Sequence, residues 1–279
     1  MVAVAAVSGA FAVLSGGSGA GGVTAPPSCS GEAIARPGGG YMTCSFDEEF
    51  SGTAVNPARW SAPQGVDFHS GTECFIPSAQ TIGVANGALR LTINKNPTAI
   101  QCGNRWTKFY SGMLTSAGHF AQTYGRVEIR AELPTGAALQ SALWMYPVTT
   151  IGPWPTSGEI DIAELFGKYP GYVLPHLHYL APSGRKAPGT YCALANADTR
   201  FHTYVVEWTP STIRFLYDGT LCFAFSGWIP HSPQKAPAPF NAPFYINLTL
   251  AMNKSQPWGS ITHTAWPSSM YVDYVRVWK

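Results

Sequence analysis

Ser157-Gly158-Glu159-Ile160-Asp161-Ile162-Ala163-Glu164-Leu165-Phe166-Gly167 holds three of the chain's fifteen acidic residues within six positions. Glycines bound the run. Glu159 and Asp161 alternate with Ile160 and Ile162, the period-two pattern of a strand with one polar and one apolar face. Glu164 breaks that parity: in a regular strand it points away from Glu159. The three acids share a face only if one extra residue near Ile162-Ala163 forms a β-bulge and resets the alternation. Two other readings fit the spacing, an acidic outer face of an exposed strand and a calcium site. Calcium is the poorer of these, because it takes about six to eight oxygens, usually from a loop rich in Asp, Asn and Gly.

With the bulge, Glu159 and Glu164 are four strand steps apart, roughly 13 Å between backbones, and two inward-leaning glutamates can close that gap. A retaining glycosidase needs a carboxyl separation of about 5–5.5 Å. It also needs two carboxyl groups in different states, one ionised to attack an anomeric carbon and one neutral to protonate the leaving oxygen. Asp161, lying between them, is placed to orient the nucleophile, and like-charge repulsion in a semi-enclosed cleft favours a proton on one neighbouring acid.

The rest of the chain reads as strands as well. Leu89-Arg90-Leu91-Thr92-Ile93, Val127-Glu128-Ile129-Arg130-Ala131 and Tyr204-Val205-Val206-Glu207-Trp208 alternate in whole or in part. Ile213–Tyr217 and Thr220–Phe223 flank Asp218-Gly219, the favoured pair for a type I′ hairpin turn. Phe244–Leu250 and Met270–Trp278 add two more. At least eight strands, no long helical pattern, no repeat and no linker predict one two-sheet sandwich over 28–279. The composition agrees, since 29 Gly, 23 Pro, 9 Trp, 13 Tyr and 14 Phe in 279 residues suit short strands joined by tight turns.

Charged residues make up 11% of the chain and the net charge is +2, which leaves no basic face for nucleic acid. Before the first charged residue, Glu32, an apolar run at 2–14 and a Gly/Ser/Ala-rich stretch resemble a secretory signal peptide. No Lys or Arg precedes the run, so a flexible apolar tail is the alternative for 1–27. The run is too short and Gly-rich to span a bilayer. Export suits the six cysteines, which lack metal-site spacing. Proximity pairs Cys29 with Cys44, Cys74 with Cys102 and Cys192 with Cys222, one of fifteen connectivities; buried free thiols are the other reading.

The acidic segment resembles the signature of glycoside hydrolase family 16, Glu-x-Asp-x-x-Glu in the bulged branch that includes laminarinases and agarases. The likeness extends over roughly residues 44–279 through Phe46–Phe50, Tyr124–Arg130, Trp144-Met145, Trp154-Pro155, Phe201–Tyr204, Glu207–Pro210 and Val272–Val277. It implies an all-β jelly roll, concanavalin A-like, of two stacked antiparallel sheets with a concave cleft. Glu159 would be the nucleophile, Glu164 the acid/base and Asp161 their neighbour. The resemblance places Trp154, Trp144, His178 and Asn247 in the cleft; taken alone, Trp144 and His178 read more readily as core, and Asn247 could satisfy neighbouring backbone. A structural calcium would match Glu49, Gly87 and Asp273, with no cofactor needed for catalysis.

The expected activity is that of a secreted, monomeric, retaining endo-β-glycosidase on a β-1,3-glucan such as laminarin. Another β-linked glucan or galactan is the alternative substrate, and a non-catalytic carbohydrate-binding protein is the alternative class. Two departures bear on distant subsites. Gly118 follows Thr115-Ser116-Ala117 where laminarinase-like members often have Arg, and Ala251-Met252-Asn253-Lys254 replaces a Gly-Gly stretch.

Overall fold

The computed structural model describes residues 28–36, 38–66, 72–252, 262 and 264–279. The expected leader, 1–27, lies outside the described residues, as do Asn253 and Lys254. Among the described residues no helix is long and apolar enough to cross a membrane.

The first strands are β1 (Cys44–Glu48), β2 (Gly65–Val66), β3 (Cys74–Phe75) and β4 (Ile82–Ala85). A long hairpin of β5 (Ala88–Cys102) and β6 (Arg105–Ser111) leads to β7 (Met113–Thr115), β8 (Gly125–Glu132) and β9 (Leu139–Pro147). The acidic segment is β10 (Glu159–Phe166), followed by β11 (Tyr172–Ala181), β12 (Gly184–Lys186), β13 (Cys192–Ala193) and β14 (His202–Trp208). The hairpin β15 (Thr212–Tyr217) and β16 (Thr220–Ser226), then β17 (Phe244–Met252) and β18 (Ser268–Trp278), follow. Asp218 and Gly219 both take positive φ, 47° and 75°, as the type I′ turn requires.

Eleven strands form one sheet, ordered β16-β15-β14-β8-β18-β5-β6-β3-β2 with β1 on β18 and β4 on β5. Seven form the other, ordered β12-β11-β10-β9-β17-β7 with β13 on β11. The crossovers make the two-sheet sandwich expected from the strand pattern, as the jelly roll that the resemblance implies. Among the described strands pairing is antiparallel apart from β3 with β6, which run parallel, so both sheets are antiparallel-dominated, as expected.

Alternation explains how the two sheets meet. Leu139, Leu143 and Met145 of β9 enter the core with Phe244, Ile246, Leu248, Leu250 and Met252 of β17 and Ile160, Ile162 and Leu165 of β10. Each such side chain contributes about 1.5–3 kcal/mol by leaving water. The intervening residues of the same strands, among them Gln140, Trp144, Tyr146, Tyr245 and Asn247, are thereby turned to the opposite face of the smaller sheet. That face carries the acids.

The three disulfides are Cys29–Cys44, Cys74–Cys102 and Cys192–Cys222, the pairs that proximity predicts. They close loops of 15, 28 and 30 residues and tie the N-terminal turn, the β5–β6 hairpin tip and the β13 edge to their neighbours. Replacing Cys192 and Cys222 together by Ser is expected to cost about 3–4 kcal/mol through the freed loop entropy of the unfolded chain. Denaturant unfolding reads this directly; an unchanged midpoint would mean that the unfolded chain is already restrained there.

At the positions matched to a structural calcium, the acidic side chains are held by guanidinium groups. Both carboxylate oxygens of Glu49 accept from the Arg276 guanidinium, at 2.7 and 3.1 Å, and Arg276 also binds Glu32. Burial opposes ionisation of Glu49, but the guanidinium outweighs it and holds the carboxyl below its ordinary value. Asp273 is paired with Arg130. Gly87 stands in the β4–β5 turn at φ 75° and offers only backbone.

Candidate active site

The bulge inferred from parity lies at Ile162. Against β9, Asp161 faces Trp144 and Ala163 faces Leu143, leaving Ile162 without a partner; against β11 the register breaks between Asp161 and Glu164. Such an extra residue loses its ladder bonds, and a carbonyl buried without a partner costs about 1–3 kcal/mol. Here Tyr217 Oη, reaching across the core from β15 of the other sheet, donates to Ile162 O at 3.0 Å. Tyr217→Phe is therefore expected to destabilise the protein by about 1–3 kcal/mol. Because the bulge aims Glu164, kcat should also fall by about tenfold with little change in KM. Unchanged kcat would show that the strand ladder alone holds the bulge.

Glu159, Asp161 and Glu164 all turn to the face away from the core and are 6%, 4% and 8% exposed. Glu159 Oε2 accepts from Trp154 Nε1 at 3.1 Å. His178, opposite Glu159 on β11, places Nε2 3.1 Å from Asp161 Oδ2 and 3.9 Å from Glu159 Oε1. Glu164 is held at both oxygens: Gln140 Nε2 donates to Oε1, and His176 Nδ1 lies 2.5 Å from Oε2.

Three carboxylates so little hydrated cannot all stay ionised. Burial pushes Asp161 up to about 7, Glu159 and Glu164 add to the rise, and His178 opposes it. Burial disfavours charge on His178, but Asp161 first, then Glu159 and Glu164, raise it to about 9. The proton expected among the acids is drawn to the Asp161–His178 pair. Ligand atoms of Asp161, His176 and His178 lie within 4.8 Å of one another, close enough to hold a divalent ion. Each imidazole already engages a carboxylate, however, and a protonated ring has no lone pair for a metal.

Beside the acids lies a cavity of about 870 Å³ walled by Trp144, Tyr146, Trp154 and Tyr245, with Asn247, Thr115 and Arg185 also lining it. Aromatic planes of this kind suit the C–H faces of pyranose rings. Trp144 is steadied by Nε1 donating to Thr249 at 2.9 Å, and Trp154 by the His178 ring at 5.1 Å and the Arg185 guanidinium at 5.5 Å. Asn247 is 1% exposed, and its Nδ2 has no hydrogen-bond partner in the protein. A buried donor of this kind calls for an acceptor from outside, such as a sugar hydroxyl.

The structure thus brings Glu159, Asp161, Glu164, Trp154 and His178 together, with Trp144 and Asn247 in the adjoining cavity. It adds His176, Gln140, Tyr146, Tyr245 and Arg185, which the sequence reading missed. For some a signal existed: His176 shares strand parity with His178, and Gln140 and Tyr146 share it with Trp144. Tyr245 likewise shares it with Asn247; for Arg185 there was none, because its position depends on which strands become neighbours.

Comparison with known proteins gives the family and the fold. The model of the glycosyl hydrolases family 16 matches residues 72–275. Glucan endo-1,3-beta-glucosidase A1 of Niallia circulans is 30% identical over 261 residues, 85% of this chain and 38% of its own length. The beta-glucanase of Rhodothermus marinus is 36% identical over 183 residues, 62% of this chain and 63% of its own. The chain therefore spans less than two thirds of either relative. The solved laminarinase of Rhodothermus marinus superposes with a TM-score of 0.72 at 29% identity, covering 85% of this chain and 97% of that one. A jelly roll with a bulged acidic strand, matched by the family model over most of its length, places this chain in glycoside hydrolase family 16.

Proposed function

We propose that the protein is a secreted, retaining endo-β-glycosidase that hydrolyses β-1,3-glucan by double displacement. The observation that carries this is the Ile162 bulge, which turns Glu159 and Glu164 to one face of a buried, aromatic-walled site. Glu159, with charge drawn off its neighbours and Trp154 steadying one oxygen, attacks the anomeric carbon. Glu164 protonates the departing glycosidic oxygen, and the C–O bond breaks as the C1–Glu159 bond forms. Water, deprotonated by Glu164, then attacks C1 and releases Glu159 with the β-configuration restored.

Asp161 positions the nucleophile, and the proton that it shares with His178 spares Glu159 an uncompensated second negative charge. Trp144, Trp154 and His178 pack against the sugar, and Asn247 supplies its unpartnered amide to a hydroxyl. No cofactor enters these steps. The choice of β-1,3-glucan follows the names of the glucanase relatives, and export follows the three disulfides. We read 28–279 as one catalytic domain that acts as a monomer, preceded by a leader at 1–27.

Product analysis with laminarin, mixed-linkage β-glucan, agarose, carrageenan and β-galactan tests the reading. Short oligosaccharides from laminarin, with the β-anomer formed first by NMR, are expected. Selective cleavage of another polymer would move the substrate and keep the chemistry. Binding without products from any polymer would make the chain a carbohydrate-binding protein.

A further inference from the structure

We propose that His176 positions Glu164 and shares its working proton, so that the pair, and not the glutamate alone, sets the alkaline edge of activity. The proposal rests on Glu164 being the acid/base. His176 Nδ1 and Glu164 Oε2 are 2.5 Å apart, while Gln140 Nε2 donates to Oε1 at 2.5 Å, so neither carboxyl oxygen is free to rotate. Gly189 bridges to His176, and a Cβ built there would stand 2.4 Å from His176 Cδ2, so the loop closes directly on the ring. The contact favours one hydrogen between the two atoms, because two lone pairs would repel and two protons would clash.

The groups facing His176 favour that single proton. Burial disfavours a charged ring, but Glu164 and then Asp161, both on β10, outweigh it, while His178 on its own strand opposes, and the ring is raised above its ordinary value. Gln140, from β9, is neutral.

The proton count closes over the cycle. The pair begins with one proton, and in the reacting tautomer it lies on Glu164. It passes to the glycosidic oxygen as that bond breaks, leaving Glu164 ionised and His176 neutral. Two lone-pair atoms then face each other, which makes the emptied pair a good base. It takes a proton from the water that attacks C1, and the starting state returns. His176 touches no reacting atom and acts through Glu164.

The test is the pH dependence of kcat/KM on the polymer cleaved, for wild type, His176→Asn and His176→Ala. Asn retains a donor near the Nδ1 position but cannot titrate. The wild-type alkaline limb is expected above about 6.5, the ordinary imidazole value. In both variants it should move down by about 1 pH unit or more, towards the carboxylate range. With a 2,4-dinitrophenyl β-glycoside, whose departure needs no proton, no such shift is expected. An alkaline limb in His176→Asn that coincides with wild type overturns the proposal.

Glu164→Ala separates this failure from failure of the assignment beneath it. If that variant cleaves the polymer at the wild-type rate, Glu164 is not the acid/base. If it loses the polymer and keeps the dinitrophenyl glycoside, the assignment stands and only His176 is in question. A further measurement needs no His176 variant. The His176 ring, followed by NMR, should titrate at lower pH in Glu164→Gln than in wild type, and an unchanged titration also overturns the proposal.

Discussion

Glu159→Gln is expected to lower hydrolysis of laminarin by on the order of 10⁴-fold or more while the protein stays folded. The amide has the shape of the carboxylate and can still accept from Trp154 Nε1, so the cleft wall keeps its support. What it lacks is the charge to attack C1. Removing one of three crowded acids relieves repulsion, so the thermal midpoint should hold or rise slightly. Asp161 should titrate at lower pH, since Glu159 is one of the charges that raise it. Intact-mass analysis after reaction with a 2-fluoro glycoside should show a covalent adduct in wild type and none in the variant. Turnover of laminarin by Glu159→Gln at the wild-type rate would remove it as nucleophile.

Glu164→Ala is expected to lose about 10²–10⁴-fold on laminarin, the range for deleting a general acid. The loss should depend on the leaving group. For a dinitrophenyl glycoside kcat/KM should stay near wild type, because formation of the glycosyl-enzyme no longer needs a proton. Its breakdown by water should become slow, and added azide should restore turnover. Azide attacks C1, the C1–N bond forms as the C1–Glu159 bond breaks, and no base is required. The product should be the β-azide, since both displacements invert. An α-azide, or no rescue, would place the acid/base elsewhere. Deletion also strands Gln140 and His176 without their acceptor, so unfolding should be followed in parallel.

The site was partly legible because strand parity is a local property. Period-two alternation placed Glu159 and Asp161 on one face, and the broken parity at Glu164 demanded the bulge now seen at Ile162. The Asp218-Gly219 hairpin and the three cysteine pairs followed from local turn preference and proximity. Matching positions along the chain could not reveal that Arg276 and Arg130 reach Glu49 and Asp273.

By itself, then, the sequence determined that this is an all-β sandwich with an acidic bulged strand, because side-chain direction along a strand repeats every two residues. Only the tertiary structure decided which groups govern those acids. His176 and Gln140 reach Glu164 from neighbouring strands, and Tyr217 reaches the bulge from the opposite sheet. Parity names the face a residue occupies. Its partner across that face depends on strand order, register and sheet packing, which are set by burial of the whole core.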